Sequence, residues 1–157
     1  GQLILAGNVA VLQTHECSCA IEIGSVQCLK LIYEKYGPGG SNKLINISVK
    51  YRQYDCFIYI IGVVPFAETD QYLLVMLGLT EWLHAAVEIT KVELASNLCL
   101  AATTHSNAEI HLKSLRYLRS VNYKFNEFYA NLSITAITRR NINGSDAVIA
   151  LIHECVA

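Results

Sequence analysis

Two short stretches of the sequence hold residues that could bind a metal ion or attack a substrate. They are "HECSC" at 15–19 and "HEC" at 153–155, and their soft or borderline ligands are His15, Cys17, Cys19, His153 and Cys155. Four ligands of these types can hold a tetrahedral zinc ion, as a metal-assisted hydrolase would require. A disulfide from Cys17 or Cys19 to Cys155 is the alternative, and it would suit a secreted recognition protein.

The spacing of these residues is a weak basis for a metal centre. One residue separates Cys17 from Cys19, whereas zinc knuckles usually have two residues between their cysteines, and no pattern brings the two stretches together. The chain has no glycine-rich phosphate loop, nucleophile elbow or His-Glu-x-x-His helix. We therefore predict no cofactor and lean against an enzyme. A cysteine nucleophile with a histidine partner stays open, because such pairs meet in space and follow no spacing rule.

Basic residues are concentrated in one place, where Lys113, Arg116, Arg119 and Lys124 alternate with tyrosines in "KSLRYLRSVNYK". On a helix they could meet the phosphates of a membrane surface, an acidic protein or RNA. Four charges are few, and the net charge of −1 gives no general attraction to nucleic acid. A solvated helix face is the simpler interpretation, and peripheral contact with a membrane surface is the alternative.

The composition bounds the kind of protein. The 157 residues are 53% hydrophobic and only 16% charged, where roughly a quarter charged is usual. Such a chain forms one domain, residues 1–157, and it keeps an apolar face for another protein chain or a second copy of itself. The longest apolar run, at 56–67, is shorter than the roughly twenty residues of a membrane span.

The cysteines bear on the cellular compartment. Two of the six, Cys28 and Cys56, lie inside apolar segments, as reduced and packed cysteines commonly do, which favours the cytoplasm. An even number of cysteines and three Asn-x-Ser sequons leave secretion as the alternative.

The hydrophobic pattern of the sequence predicts an α/β (α+β) fold, in which helices pack on a mainly antiparallel sheet of about five strands. These elements would position the residues described above. Apolar and polar residues alternate at 45–52, as in a strand with one wet face, and the apolar run at 56–64 predicts a central strand. The other expected strands are a hairpin at 2–12 turning at Gly7-Asn8, a strand at 71–77 and a β-rich stretch at 132–138. Helices are expected from the Ser25 cap to the glycines at 37–40, from Thr80, from the Ser106 capping box to Phe125, and at 146–155.

The stretches "ISVKY" at 47–51 and "FIYIIG" at 57–62, joined by the bend at Tyr54-Asp55, carry a family resemblance. Over residues 2–95 the chain resembles the longin-type fold of the small subunits of vesicle-coat adaptor complexes. The resemblance implies a non-enzymatic scaffold in vesicle trafficking or a related assembly. It also implies a peptide-binding groove beside the first helix and the third strand, which would be formed by Leu29, Ile32, Ile45, Ile47 and Tyr51. The alternative is that these five residues only join helix to sheet.

Overall fold

The computed structural model describes residues 2–156, and it describes side chains from residue 9 onward. Over these residues it contains ten α-helices and no β-strand. The helices are α1 (Gln2–Glu22), α2 (Val26–Tyr36), α3 (Lys43–Lys50), α4 (Tyr54–Ile60), α5 (Glu68–Met76), α6 (Thr80–Thr90), α7 (Leu98–Ala102), α8 (Ala108–Ser120), α9 (Glu127–Arg140) and α10 (Ser145–Cys155). An isolated parallel bridge joins Phe125 to Val156.

The chain divides into two compact units. The first extends to Ala67 and includes Glu88–Val92, and the second comprises Glu68–Val87 and the residues from Glu93 onward. The prediction of one domain over residues 1–157 stays a prediction.

Each unit is built from stacked helical hairpins. In the first unit α1 packs against α2 and α3 against α4, while α1 also contacts α3 and α2 contacts α4. In the second unit α7 lies between α5 and α9, α8 contacts α10, and the pairs α7/α8 and α9/α10 form hairpins. Stacking first helix on first helix and second on second is the packing order of α-solenoids.

The predicted antiparallel sheet, and with it the longin-type resemblance, is wrong. All three stretches of the expected meander are helical: 45–52 falls mainly in α3, 56–64 begins in α4, and 71–77 lies almost entirely in α5. The expected hairpin at 2–12 is part of the continuous helix α1, and the β-rich stretch at 132–138 lies within α9. The longin fold requires a five-stranded sheet, and the described part of this chain has none.

Burial shows why these segments form helices. In α3 the buried residues are Leu44, Ile45, Ser48 and Val49, which recur at i, i+1, i+4 and i+5 as one face of a helix does. The alternation at 45–52 concealed this period because Ser48 is a polar residue that is buried. Its hydroxyl donates to the Ile45 carbonyl at 2.6 Å, which satisfies it inside the helix.

The predicted boundaries of α2 are confirmed, and those of α8 are wrong. The Ser25 hydroxyl accepts a hydrogen bond from the Cys28 amide at 3.1 Å and caps α2, which ends before Gly37. At α8 the cap is Asn107 instead of Ser106, and the helix stops at Ser120, short of the expected Phe125. In the part of the chain from 2 to 156, no helix combines the length and apolarity needed to cross a bilayer.

Candidate functional site

The middle of α1 exposes apolar side chains all the way around the helix. Val9 is 45% exposed, Val11 68% and Leu12 52%, and Ala10 between them is exposed as well. Because successive residues are about 100° apart on a helix, four exposed residues in a row point in nearly every direction. From Gln13 onward the helix is anchored, since the Gln13 amide donates to the Gly37 carbonyl at 3.2 Å. We call residues 9–12 the apolar segment, a run of four consecutive exposed apolar residues.

A groove between α1 and α3 adjoins the apolar segment. It has a volume of about 520 Å³ and is walled by Ala10, Val11, Thr14, His15 and Ser18 of α1 and by Ser41, Lys43 and Ile47 on the other side. Clefts of about 300–1,000 Å³ are large enough for a ligand or for side chains of a partner. The groove therefore enlarges the surface that the apolar segment offers.

A second groove, between α1 and α2, lies on the other side of His15. It has a volume of about 540 Å³ and is lined by His15, Glu16, Cys19, Ala20, Ile23, Cys28, Leu31 and Ile32. Its lining is mostly apolar, and Ile23 and Leu31 are 73% and 55% exposed. His15 borders both grooves, so the two surfaces meet along α1.

Polar groups at the edge of the α1–α2 groove form two separate sets, one around Cys19 and one around Glu16. The Cys19 sulfur lies 4.0 Å from Nε2 of His15, one helical turn earlier. The Glu16 carboxylate accepts a hydrogen bond from the Tyr36 hydroxyl at 3.0 Å and lies 3.8 Å from Nζ of Lys35. The carboxylate is thus held by α2, whereas the thiol and the imidazole face the groove.

The five residues predicted to bind a partner do not form one groove. Leu29 and Ile45 are completely buried in the core of the first unit. Ile32 lines the α1–α2 groove and Ile47 lines the α1–α3 groove, while Tyr51 lies just after α3 and is 39% exposed. That these five residues bind a partner stays a prediction.

Of the cysteine and histidine residues predicted as an alternative metal site, His15 and Cys19 lie one helical turn apart. All six cysteines are free, and among residues 2–156 no three His, Cys, Asp or Glu side chains are placed to hold a metal ion. Cys17 is buried, and burial raises the pKa of its thiol to about 11. Cys155 is buried at the end of α10, next to the exposed His153.

The basic patch is partly neutralised by carboxylates. Nζ of Lys113 lies 3.3 Å from Glu81, and the Arg119 guanidinium lies 2.5 Å from Glu154. Arg116 is exposed on α8, and Lys124 is exposed beyond the end of that helix. Contact with a membrane surface through these four residues stays a prediction.

Glu81 and His84 border a cleft that was not predicted from the sequence. This cleft of about 490 Å³ is lined by Thr80, Glu81, His84, Tyr117, Ser120 and Val121. The His84 and Tyr117 rings meet edge to face at 6.0 Å, and Nδ1 of His84 lies 3.4 Å from the Tyr117 hydroxyl. Only the packing of α8 near α6 creates the cleft, so no spacing within one helix could have revealed it.

Comparison of the chain with protein-family models, with curated proteins and with solved structures finds no match. Function must therefore be argued from the geometry of the chain itself, and the surface of α1 is its most distinctive part. The sequence did carry a signal for this surface, because the first fourteen residues contain no charged side chain. That signal was interpreted as a hairpin.

Proposed function

We propose that this chain is a non-enzymatic protein-interaction module that associates with a second copy of itself through α1. The observation that carries the proposal is the run of exposed apolar side chains at Val9, Val11 and Leu12, in the middle of a 21-residue helix. Exposed apolar patches of this kind are typical of surfaces that bind other chains.

The energetics support association. Burying a valine or leucine side chain that is otherwise exposed contributes about 1.5–3 kcal/mol, and at least three such side chains are available here. The α1–α3 groove adds a concave surface beside them, which suits a helix that docks with an apolar face.

Charge points to the second copy as the occupant. Residues 9–14 carry no charged side chain, so this part of the surface gives a charged partner helix no ion pair in return for its desolvation. The same residues of another copy form an uncharged and mostly apolar segment of α1. Two copies related by a two-fold axis can therefore bury the same residues against each other.

The role does not include vesicle trafficking, because that expectation depended on the longin-type sheet. The compartment that we propose is the cytoplasm, where thiols remain reduced. Six free cysteines, four of them buried, favour this proposal. Thiol titration in denaturant of protein purified without reductant tests it: six reactive thiols agree with the cytoplasm, and paired cysteines would support the secreted alternative.

Sedimentation analysis of the purified chain over a wide range of concentrations tests the association. We expect a reversible dimer whose dissociation constant rises at least about tenfold in Val11→Asp, because a buried charge replaces a buried apolar group. Leu132→Asp is the matched control, since Leu132 is 43% exposed on α9 of the second unit and should leave the dimer unchanged. A wild-type chain that stays monomeric, or equal effects of the two substitutions, would overturn the proposal.

A further inference from the structure

Cys19 differs from the other cysteines in its surroundings. It is exposed, Cys28 is half-buried, and the remaining four are buried. Its sulfur lies 4.0 Å from an imidazole nitrogen and opens onto the apolar α1–α2 groove. A nucleophile, a base and an apolar cavity therefore occur together at one place in the first unit.

The buried cysteines are poor nucleophiles, because the reactive form of cysteine is the thiolate. Burial raises the pKa of Cys17 and of Cys99 to about 11, and it also raises the pKa of Cys56 and Cys155. These four thiols remain protonated and inaccessible near neutral pH. Cys19 and Cys28, which share the groove, are the two thiols that a reagent in the groove can reach.

The lining of the groove indicates what kind of reagent fits. Ala20, Ile23, Leu31 and Ile32 present hydrocarbon to a space of about 540 Å³, which is within the range of ligand pockets. The Glu16 carboxylate also borders the groove, and it is paired with the Tyr36 hydroxyl and with Nζ of Lys35. A long alkyl chain gains by leaving water in such a groove, at about 0.8 kcal/mol for each buried methylene.

We propose that Cys19 is an S-acylation site that accepts a long-chain fatty acyl group from an acyl thioester such as palmitoyl-coenzyme A. The alkyl chain lies in the α1–α2 groove, which brings the thioester carbonyl to the sulfur. The acyl group uses the α1–α2 groove, whereas the association proposed for α1 uses residues 9–12 and the α1–α3 groove, and His15 borders both grooves.

The reaction balances without an oxidant or a metal ion. Nε2 of His15 takes the proton from the Cys19 thiol, and the thiolate attacks the thioester carbonyl carbon. The new carbon–sulfur bond forms at Cys19, and the bond to coenzyme A breaks. The proton held by His15 passes to the departing coenzyme A thiolate. The products are a thioester at Cys19 and free coenzyme A.

The test is incubation of the purified full-length chain with palmitoyl-coenzyme A or acetyl-coenzyme A at equal concentration, followed by intact mass measurement. We expect the palmitoyl group to be added at least about tenfold faster than the acetyl group, because only the long chain gains from the groove. Neutral hydroxylamine should remove the added mass, as it does for thioesters, and peptide mapping should place it on Cys19.

Variants separate the roles of the groove and of the base. Cys19→Ser should abolish acylation even though Cys28 remains in the same groove. Leu31→Asp should reduce the preference for the long chain, and His15→Gln should slow acylation of both thioesters because the proton acceptor beside Cys19 is lost. Circular dichroism of each variant verifies the fold. Equal rates with both thioesters, or acylation of Cys28 as fast as that of Cys19, would overturn the proposal.

Discussion

The two units of the molecule use the same helical hairpins but distribute polar groups in opposite ways. The first unit exposes apolar side chains on α1, whereas the second buries polar side chains between its helices. In the second unit Gln71 accepts a hydrogen bond from the Ala95 amide at 2.8 Å and donates one to the Glu93 carbonyl at 2.9 Å. The Ser114 hydroxyl, on α8, donates to the Val75 carbonyl of α5 at 2.6 Å.

Further hydrogen bonds of the second unit also join polar groups in its interior. The Tyr123 hydroxyl bonds to the Ala95 carbonyl and accepts from the Leu98 amide at 3.2 Å, while the Cys99 thiol lies 3.3 Å from the Ser133 hydroxyl. A satisfied buried polar network fixes which segments lie together, because any other arrangement leaves its groups unpaired. The contrast shows two uses of similar helical hairpins. In the second unit buried hydrogen bonds fix how the helices are arranged, and in the first unit exposed apolar side chains are available to a second chain.

The largest effect that would test this contrast is expected at Gln71. Gln71→Met keeps the size of the side chain but leaves a buried amide and carbonyl without their partner, which should lower the free energy of unfolding by about 3 kcal/mol. Urea unfolding followed by circular dichroism measures the change. Gln13→Met in the first unit is the matched control, since Gln13 makes one part-buried bond and should cost about 1 kcal/mol or less. An equal loss in the free energy of unfolding for the two variants would show that buried polar groups stabilise the second unit no more than the first.

A smaller effect is expected from pH, through His111. This residue of α8 is completely buried, its Nε2 bonds to the His105 carbonyl, and its Nδ1 has no hydrogen-bond partner among residues 2–156. Burial, with the nearby Arg140 and His105, lowers the pKa of His111 below its ordinary value. Arg140 also binds the carbonyl of Thr104 at 2.7 Å, so positive charge already lies beside this loop.

The direction of the pH effect follows from the lowered pKa. His111 stays neutral in the folded chain while the unfolded chain takes up a proton below about pH 6.5, so acid favours unfolding. Below about pH 6.5 the free energy of unfolding should fall by up to about 1.4 kcal/mol per pH unit, until His111 of the folded chain also takes up a proton. In His111→Gln this slope should decrease, while the exposed His153→Gln keeps it. Identical slopes in both variants would show that His111 does not titrate in this way.

The smallest effect is expected where charges lie on the surface. Glu154→Gln removes the partner of Arg119, yet both side chains are more than half exposed, so stability should change by no more than about 0.5 kcal/mol. The same urea measurement applies. A loss as large as that of Gln71→Met would mean that surface charge, and not the buried network, distinguishes the second unit.

Part of the fold could be predicted from the sequence, and the reason is local. The Ser25 cap and the glycine after α2 act within a few residues, so their effect is visible in any window of the chain. The strands failed because an apolar run shorter than ten residues satisfies a buried helix as well as a buried strand. In α4 the core residues Cys56, Phe57 and Ile60 fit both patterns, and contacts with α2 and α3 decide between them.

The site was less predictable than the fold. Its chemistry depends on which side of α1 each residue occupies, and α1 itself was expected to be a hairpin. Within "HECSC", the helix turns Cys17 into the core and leaves His15 and Cys19 outside, one turn apart. Had the helix been recognised, the i, i+4 spacing of these two residues would have indicated that they meet.

The position of His15 couples the two sides of α1. One imidazole is a wall of both grooves, so rotating the ring to fit an occupant on one side changes the shape of the other side. If an occupant of one groove changes the affinity of the other groove for its occupant, the second occupant must change the affinity of the first groove by the same factor. The shape of each groove therefore depends on a residue that it shares with the other groove.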